Sequence, residues 1–389
     1  MIPYGKHHID EDDIKSVIKV LKGNNLTQGP LVKIFENEIS KYVGAKYTVV
    51  VSSCTAGLHL ASIVSKIKKG KKLLTSPITF VSTANSSLFC RGEVVFADID
   101  KSTINISLDS IEKIIKKNKI QAIAPVHFAG LPCDMIKIKK IANKIGAMIY
   151  EDAAHAFGSK YNKNFKVGSC RYSDMTVFSF HPVKSIATGE GGAITTNSKK
   201  IYEQLLRLRN HGIEKNSDNF YNKNHNLKTN LQNPWYYEMQ ELGFHYRITD
   251  IQCALGLSQL KKIDKFLLKR KQLAKKYDLA FKDLKNCKPI HNGMRDNSSN
   301  HLYILKIDFE KLGKTKSFLM KEFLNQEIMT QVHYIPVVSH PYYKKKQYKE
   351  KDFPNSFEYY DSALSIPLFY DLSNKQQSHV INKIKKLIG

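Results

Sequence analysis

Lys184 is the residue whose setting in this sequence most suggests covalent chemistry. It lies in SFHPVKSIATGEGG (179–192), after an apolar segment that predicts a buried strand and before a glycine-rich turn. A lysine desolvated at such a place has a lowered pKa, and its neutral amine is then a usable nucleophile. The chain contains 61 Lys and Arg residues. The position of Lys184 alone therefore favours an ordinary loop lysine over a catalytic one.

Asp152, in the segment EDAAHAFGS (151–159), is the second candidate. It ends a predicted strand, and ligands of open α/β sheets bind beyond the carboxyl ends of the strands. A carboxylate there can pair with a ring nitrogen and keep it protonated, and His155 can contact the same ligand. The alternative is an aspartate that caps the next turn beside a half-buried histidine. From this segment alone, the ligand-binding and the structural interpretations are equally supported.

The turn SSCTAG (52–57), between a predicted strand and a predicted helix, is the third candidate. Small and hydroxyl-bearing residues at a helix N-terminus leave free N–H groups that bind an anion. The turn is not a Walker A loop, because no Gly-Lys-Ser/Thr sequence follows. A plain N-cap by Ser53 or Thr55 accounts for the same residues.

Taken together, these three features fit one ligand. Pyridoxal phosphate needs an anion site for its phosphate, a carboxylate for its ring nitrogen and a lysine for its aldehyde. We therefore expect Asp152 to keep the pyridine nitrogen protonated and Lys184 to form a Schiff base with the cofactor. Once the substrate has released it, Lys184 becomes the base that moves a proton between the substrate carbon and the cofactor.

The elements that must position these residues alternate between strand and helix. Apolar segments predict strands at 47–51, 93–99, 121–126, 147–152, 174–180 and 192–196. Amphipathic segments predict one helix between a cap at Asp10 and a stop at Gly23, and others at 30–42, 55–66, 107–117 and 134–146. This alternation predicts an α/β fold with a mainly parallel central sheet flanked by helices.

The pattern changes in the second half of the chain. Residues 213–238 are rich in Asn and predict a long surface loop, and a long helical stretch follows at 249–284. Beyond it, the pattern predicts a strand at 301–309, a helix at 315–326 and a strand at 328–337. We expect a large cofactor-binding domain at 1–259, including the N-terminal helices, and a smaller α+β domain at 260–389.

The composition is that of a globular protein, with 42% hydrophobic and 25% charged residues. Six cysteines without a CxxC pair predict reduced thiols in a cytoplasmic protein, with no metal site and no disulfide framework. The N-terminal segment lacks the features of a signal peptide, and no apolar run is long enough to span a membrane. The net charge of +26 is dispersed in Lys pairs, which indicates a Lys-rich surface more than a nucleic-acid-binding patch.

Over nearly its whole length, the chain resembles the DegT/DnrJ/StrS-type sugar aminotransferases, a branch of the fold-type-I pyridoxal-phosphate-dependent transferases. The resemblance rests on NLTQGP (25–30), TSPITFVSTANS (75–86), EDAAHAFGS (151–159), VFSFHPVKSIATGEGGAITTN (177–197), RNHGI (209–213), GFHYRITDIQCALGLSQL (243–260) and QVHYIPV (331–337). Within the family it is most similar to the pseudaminic-acid branch. That branch transfers an amino group from glutamate to C4 of a UDP-linked 2-acetamido-2,6-dideoxy-hexos-4-ulose, giving UDP-4-amino-4,6-dideoxy-N-acetyl-β-L-altrosamine.

The resemblance also implies roles for individual residues. Lys184 corresponds to the Schiff-base lysine, Asp152 to the partner of the ring nitrogen, Phe80 to the aromatic residue stacked on the ring, and His155 to a ring-side residue. The implied phosphate and substrate contacts are, in chain order, Tyr4, Asn24, Asn25, Leu26, Thr27, Cys54, Thr55, Ala56 and Ser179.

At two positions the sequence departs from the family pattern. Ala56 stands where the family turn has a second serine, so one hydroxyl contact to the phosphate is lost and a backbone N–H remains. His245, in GFHYR, stands where many members have an asparagine that reaches the cofactor phosphate of the partner subunit. A protonated histidine can make the same contact. The resemblance thus implies a homodimer with shared active sites.

Three alternatives remain open at this point. The chain could aminate another nucleotide-linked 3- or 4-keto-6-deoxy sugar, because pocket shape rather than motif decides the substrate. A pyridoxamine-dependent dehydratase of the same fold is disfavoured, because such members lack the lysine found at position 184. A nucleic-acid-binding protein is the distant alternative that the net charge of +26 suggests.

Overall fold

The protein is described by a computed structural model covering residues 1–222, 233–346 and 348–389. Its α-helices are α1 (Glu11–Leu21), α2 (Pro30–Val43), α3 (Cys54–Val64), α4 (Val81–Phe89), α5 (Leu108–Ile115), α6 (Met135–Ile145), α7 (Lys199–Arg209), α8 (Asp250–Leu260), α9 (Ile263–Phe281), α10 (Phe309–Leu312), α11 (Lys316–Asn325), α12 (Pro341–Lys344), α13 (Pro354–Ser362) and α14 (Asn374–Ile388).

The β-strands form three sheets among these described residues. They are β1 (Tyr47–Val51), β2 (Lys72–Thr75), β3 (Glu93–Phe96), β4 (Ile120–Ala124), β5 (Met148–Asp152), β6 (Met175–Ser179), β7 (Gly192–Thr196), β8 (Ile213–Glu214), β9 (Glu238–Met239), β10 (Cys287–Pro289), β11 (Tyr303–Ile307) and β12 (Ala363–Ile366).

The central sheet has seven strands in the order β1-β7-β6-β5-β4-β2-β3. The neighbours from β6 to β3 pair in parallel, whereas β7 runs antiparallel to both β1 and β6. Strands β6 and β7 are buried along their whole length, as strands covered by helices on both faces must be. The predicted α/β fold with a mainly parallel sheet is confirmed.

Helix α3 approaches the sheet closely because two glycines leave room for it. A Cβ on Gly57, within α3, would lie 2.7 Å from Val177 Cγ1 of β6. A Cβ on Gly192, at the start of β7, would lie 2.8 Å from the backbone nitrogen of Cys54. Side chains at either place would push the helix N-terminus away from the end of the sheet.

Near the C-terminus, β10, β11 and β12 form a small antiparallel sheet. Its apolar side chains share one core cluster with residues of α9, α11 and α14, and Ile2 from the N-terminus packs into the same cluster. The Ile2 backbone is tied there by hydrogen bonds with Glu327 and Met329 of 2.6 and 2.9 Å. The domain boundary at 259/260 stays a prediction.

Several predicted elements differ from the structure. The stretch at 249–284 is two helices, α8 and α9, interrupted at Lys261–Lys262. The predicted strand at 328–337 is wrong: it makes only isolated bridges, at Ile328 and Gln331, and contains a cis peptide before Tyr334. Strand β2 was not predicted, because it has only four residues, begins with Lys72 and follows a lysine-rich segment. The predicted loop at 213–238 contains β8 and the first residue of β9, and residues 223–232 of it lie outside the described residues.

None of the helices in the described part of the chain is both long enough and apolar enough to cross a membrane.

Candidate functional site

A cavity of about 520 Å³ opens where the parallel strands of the central sheet end. Strand β5 ends there at Asp152, and the loop after β6 brings Lys184 to the same place. The cavity is lined by Tyr4, Ser53, Cys54, Thr55, Thr79, Phe80, Ser82, Val126, Asp152, Ala154, His155, Ser179, His181, Val183, Lys184, Glu190, His301, Gln331, Val332, His333 and Tyr334. The three sequence features that predicted a cofactor therefore share one cavity.

Lys184 follows β6 in a tight turn closed by its own backbone N–H, which donates to the carbonyl oxygen of His181 at 2.9 Å. Burial lowers the pKa of the Lys184 amine to about 8; Cys54 and Asp152 raise it in part, and the Arg270 cation lowers it. The result is an amine with a substantial neutral fraction near neutral pH, as a nucleophile requires.

Asp152 is buried with both carboxylate oxygens engaged. The Thr83 hydroxyl donates to Oδ2 at 2.5 Å, and the backbone N–H of Ala154 donates to Oδ1 at 3.0 Å. Each carboxylate oxygen has a further lone pair, so Asp152 can still accept from a protonated ring nitrogen in the cavity.

The turn before α3 is the anion-binding candidate. Ser53 caps the helix by accepting from the backbone N–H of Ala56 at 3.1 Å. The backbone N–H of Ala56 was expected to be free to bind the phosphate, but it is used by this cap. The preceding N–H groups, of Cys54 and Thr55, belong to the first helical turn and have no intrahelical acceptor. Both residues line the cavity, and Ser179 at the end of β6 lines it as well.

Phe80 and His155 line the same cavity, Phe80 as an exposed ring and His155 as a buried one. Phe80 is 59% exposed, which is unusual for a phenylalanine at the mouth of a cavity. His155 is buried, its Nε2 lies 3.0 Å from the Tyr334 hydroxyl, and its Nδ1 has no partner among the described residues. Burial, together with the charge of Lys184 and with His333, holds the pKa of His155 well below its usual range.

Three further histidines line the cavity without a role assigned from the sequence: His181, His301 and His333. The His301 ring packs against that of His155, with centroids 4.4 Å apart and planes inclined at 36°, and its own Nδ1 lacks a partner within the described part of the chain. His333 lies in the segment 328–337 that was predicted as a strand; its Nδ1 is 2.9 Å from Ser365 Oγ, and burial lowers its pKa to about 3. Burial, with the Lys184 cation, also holds the pKa of His301 well below its usual range, so the buried His301 and His333 rings are uncharged near neutral pH.

The cavity fits pyridoxal phosphate on these observations. Helix N–H groups at Cys54 and Thr55 suit the phosphate, the ionised Asp152 suits a ring nitrogen, and the Lys184 amine suits an aldehyde. Phe80 offers an exposed ring for stacking. The unpartnered Nδ1 of His155 is a buried polar atom that a ligand group would satisfy.

Six residues assigned from the resemblance lie outside this cavity: Ala56, whose N–H is taken by the Ser53 cap, and five residues from other parts of the chain. Asn24, Asn25, Leu26 and Thr27 are exposed and run beside α8, where Thr27 bridges to Thr249. His245 is also exposed and pairs with Asn210 in an isolated bridge. Within a single chain, none of these five is brought to Lys184. Tyr4, by contrast, lines the cavity.

A second cavity, of about 560 Å³, lies between α2 and α7 and includes none of these catalytic candidates. Its charged side chains are largely paired: Arg209 donates to Glu36 at 2.7 Å, and Arg207 donates to Glu241 at 3.1 Å. Volume therefore does not identify the site, whereas the set of reactive groups does.

Comparison with known sequences gives a consistent picture. A sequence profile described as the DegT/DnrJ/EryC1/StrS aminotransferase family matches residues 7–385. The spore coat polysaccharide biosynthesis protein SpsC of Bacillus subtilis is 38% identical over 391 residues, which cover 100% of this chain and 97% of the relative. The UDP-4-amino-4,6-dideoxy-N-acetyl-beta-L-altrosamine transaminase of Campylobacter jejuni subsp. jejuni serotype O:23/36 is 37% identical over 395 residues, which cover 99% of both chains.

Solved structures agree with these matches. PseC of Helicobacter pylori, described as an aminotransferase involved in the biosynthesis of pseudoaminic acid, is similar with a TM-score of 0.89 and 30% identity, covering 100% of this chain and 99% of that one. The PLP form of a sugar aminotransferase, Spr1654 of Streptococcus pneumoniae, is similar with a TM-score of 0.87 and 26% identity, covering 99% and 98%.

Proposed function

Because this chain belongs to the DegT/DnrJ/EryC1/StrS aminotransferase family, we propose that it transfers an amino group to a nucleotide-linked keto-sugar with the help of pyridoxal phosphate. The acceptor is C4 of a UDP-linked 2-acetamido-2,6-dideoxy-hexos-4-ulose, and the product is UDP-4-amino-4,6-dideoxy-N-acetyl-β-L-altrosamine, a step in pseudaminic acid synthesis. Glutamate donates the amino group.

The observation that carries this proposal is the convergence of Lys184, Asp152 and the α3 N-terminus on one cavity. The three groups leave the sheet after different strands, so their convergence is a property of the fold and not of one local motif. The 37% identity over the full length with a transaminase of that named activity supports the choice of sugar.

The residues that line the cavity have different roles toward the cofactor and the substrate. Pyridoxal phosphate, when bound, supplies an aldehyde and an electron-withdrawing ring. Asp152 holds a proton on the ring nitrogen, Phe80 and His155 fix the plane of the ring, and the α3 N-terminus holds the phosphate. Lys184 provides the amine that anchors the cofactor, and afterwards takes and returns the proton at the substrate carbon.

The cavity of one chain does not hold all the residues assigned to the ligand. His245 and the Asn24–Thr27 segment are exposed on the same molecule and do not line its cavity. We assign them to the active site of a second copy, in a homodimer with shared sites. His245 there contacts the cofactor phosphate, and the Asn24–Thr27 segment contacts the sugar nucleotide. Six unpaired cysteines suit a protein that works in the reducing cytoplasm.

A product assay tests this function. Purified protein supplied with pyridoxal phosphate and glutamate is incubated separately with the two epimers of UDP-4-keto-6-deoxy-N-acetylhexosamine, and the products are identified by NMR. The proposal requires an amino group at C4 in the altro product, with one 2-oxoglutarate formed per amine transferred. Absence of both products in the presence of bound cofactor would contradict it.

One observation favours a second candidate function. SpsC, named for spore coat polysaccharide biosynthesis, is as similar to this chain as the altrosamine transaminase is, at 38% against 37% identity. The alternative is amination of another nucleotide-linked 3- or 4-keto-6-deoxy sugar by the same residues. Turnover of a dTDP-linked 4-keto sugar, with none of the UDP-linked epimers, would select it.

A further inference from the structure

Two buried hydroxyl groups stand in a row behind Asp152. The Thr83 hydroxyl oxygen lies 2.5 Å from Asp152 Oδ2, and the Thr79 hydroxyl oxygen lies 2.8 Å from that of Thr83. Both threonines are at most 2% exposed. Thr79 also lines the cavity. Neither residue is among those that the family resemblance assigned.

The direction of these hydrogen bonds follows from counting protons. An ionised carboxylate can only accept, so at 2.5 Å the single proton of the Thr83 hydroxyl is donated to Asp152. The competing acceptor, the Phe80 carbonyl oxygen, is 3.4 Å away. Since Thr83 has no second proton, the Thr79 hydroxyl donates to Thr83. The row therefore runs from Thr79 to Thr83 to Asp152, and each bond polarises the next.

The start of α4 positions both the hydrogen-bonded threonines and Phe80, the aromatic residue of the cavity wall. Phe80 is the N-cap residue of α4, and Thr83 lies in the first turn of that helix. Thr79 precedes the cap. One helix start thus places Phe80 against the ligand plane and aims the Thr83 hydroxyl at Asp152.

We propose that Thr83, supported by Thr79, is a positioning residue that keeps Asp152 ionised and so keeps the proton on the cofactor ring nitrogen. This rests on the proposed function, because it requires pyridoxal phosphate in the cavity. A donor to the carboxylate stabilises its charged form over its protonated form. The proton shared between the carboxylate and the ring then resides on the ring, where it is needed to withdraw electrons from the reacting carbon.

The other titratable groups that interact with the Asp152 charge belong to elements other than α4, which holds Thr83. Lys184, Cys54 and Tyr334 all lie close enough for the Asp152 charge to raise their pKa values, as does Tyr150, two residues earlier in β5. An effect of Thr83 on the ring proton can therefore be separated from a change in Lys184.

The test follows the ring nitrogen directly. The holoenzyme is prepared with pyridoxal phosphate labelled with ¹⁵N in the ring, and the ¹⁵N chemical shift reports the protonated fraction. A second probe, 4-deoxypyridoxine 5′-phosphate, lacks the aldehyde, so its affinity reports the ring contacts independently of Lys184. Thr83→Val removes the hydroxyl at nearly constant shape, and Thr83→Ser retains it.

We expect Thr83→Val to shift the protonation equilibrium of the ring about tenfold toward the neutral nitrogen, as loss of a hydrogen bond to a charged group predicts. Thr83→Ser keeps the wild-type ¹⁵N shift. Thr79→Val produces a smaller change in the same direction, and adds nothing further in a Thr83→Val background because it acts through Thr83.

Thr75→Val is the matched control. Thr75 is another buried threonine, at the end of β2, whose hydroxyl donates to the Ala124 carbonyl oxygen at 2.8 Å and has no contact with Asp152. It loses a buried hydrogen bond without moving the ¹⁵N shift. If Thr83→Val leaves the shift at the wild-type value, or if Thr83→Ser fails to retain it, the inference is wrong. If Thr83→Val does not fold, Thr79→Val and Thr83→Ser decide. Failure of the wild-type protein to bind the cofactor would instead contradict the proposed function.

Discussion

Asp152 and Lys184 face the same cavity from two adjacent parallel strands: Asp152 ends β5, and Lys184 follows the end of β6. Burial lowers the pKa of the amine more than the carboxylate raises it, so the pKa is about 8. The two groups thus influence one another while each remains free for a different atom of the ligand.

The ionisation of Lys184 should be visible in the cofactor-free protein. The rate at which Lys184 is acylated by a limiting amount of acetic anhydride, measured by peptide mass spectrometry, is expected to rise with a midpoint near pH 8. Because Asp152 raises the pKa of the amine, Asp152→Asn moves the midpoint to lower pH. Exposed Lys199 in the same digest is the internal reference. A midpoint near 10.5, the ordinary lysine value, would show that the amine is not desolvated.

Phe80 should contribute to binding and not to folding. Its ring is 59% exposed, so Phe80→Ala removes little buried surface and should leave the melting temperature of the cofactor-free protein nearly unchanged. Loss of a stacking partner costs about 1 kcal/mol, so the dissociation constant of 4-deoxypyridoxine 5′-phosphate is expected to rise about fivefold to tenfold in equilibrium dialysis. An unchanged dissociation constant would place the ring of the ligand elsewhere.

Glu151, the neighbour of Asp152, should matter for stability. Its carboxylate is fully buried and accepts hydrogen bonds from His127 at 2.6 Å, Thr176 at 2.8 Å, Ser173 and Tyr161. Breaking such a buried network costs about 3–5 kcal/mol, and Glu151→Gln is expected to lower the free energy of unfolding by that amount in urea titrations at pH 7. Exposed Glu93→Gln, the control, changes it by less than about 0.5 kcal/mol.

The same carboxylate predicts a pH dependence. Burial raises the pKa of Glu151, but hydrogen bonds from His127 and the hydroxyl groups lower it more, so the folded-state pKa lies below the ordinary 4.5. A lowered folded-state pKa contributes stability above the unfolded value, and that stability is lost as the pH falls. The difference between wild type and Glu151→Gln should therefore shrink below about pH 4.5; a difference that grows there would contradict this.

Mixed dimers test the placement of His245. Lys184→Ala and His245→Ala proteins are each expected to be nearly inactive. If His245 serves the partner's site, a heterodimer of the two has one intact site, and random mixing restores about a quarter of wild-type activity. If His245 acts within its own chain, unfolding and refolding the two proteins together restores none.

How far the sequence predicts the site depends on whether a residue belongs to a local motif. Lys184, Asp152 and Thr55 each stand at a strand end marked by its own apolar run, so strand prediction alone brings them to one edge of the sheet. Helix α4 lacked any such signal, because VSTANSSLF buries serine and threonine side chains in place of an apolar stripe. The role of Thr83 was hidden with it.

Site residues from the C-terminal half of the chain could not be predicted from the sequence for a different reason. His301 reaches the cavity because the chain before β11 packs against the segment after β4, where the His301 backbone N–H donates to the Ala129 carbonyl oxygen at 3.1 Å. Nothing near His301 in sequence predicts that contact. Tyr334 likewise enters from the irregular segment that periodicity predicted as a strand.

Covalent trapping at Lys184 tests the central claim most directly. The holoenzyme is reduced with sodium borohydride, digested, and examined by mass spectrometry for the lysine that carries the reduced cofactor. The label is expected on Lys184 alone, and incubation with glutamate before reduction should remove it from that lysine. A label on another lysine, or one on Lys184 that glutamate leaves in place, would contradict the assignment of this site to amino-group transfer.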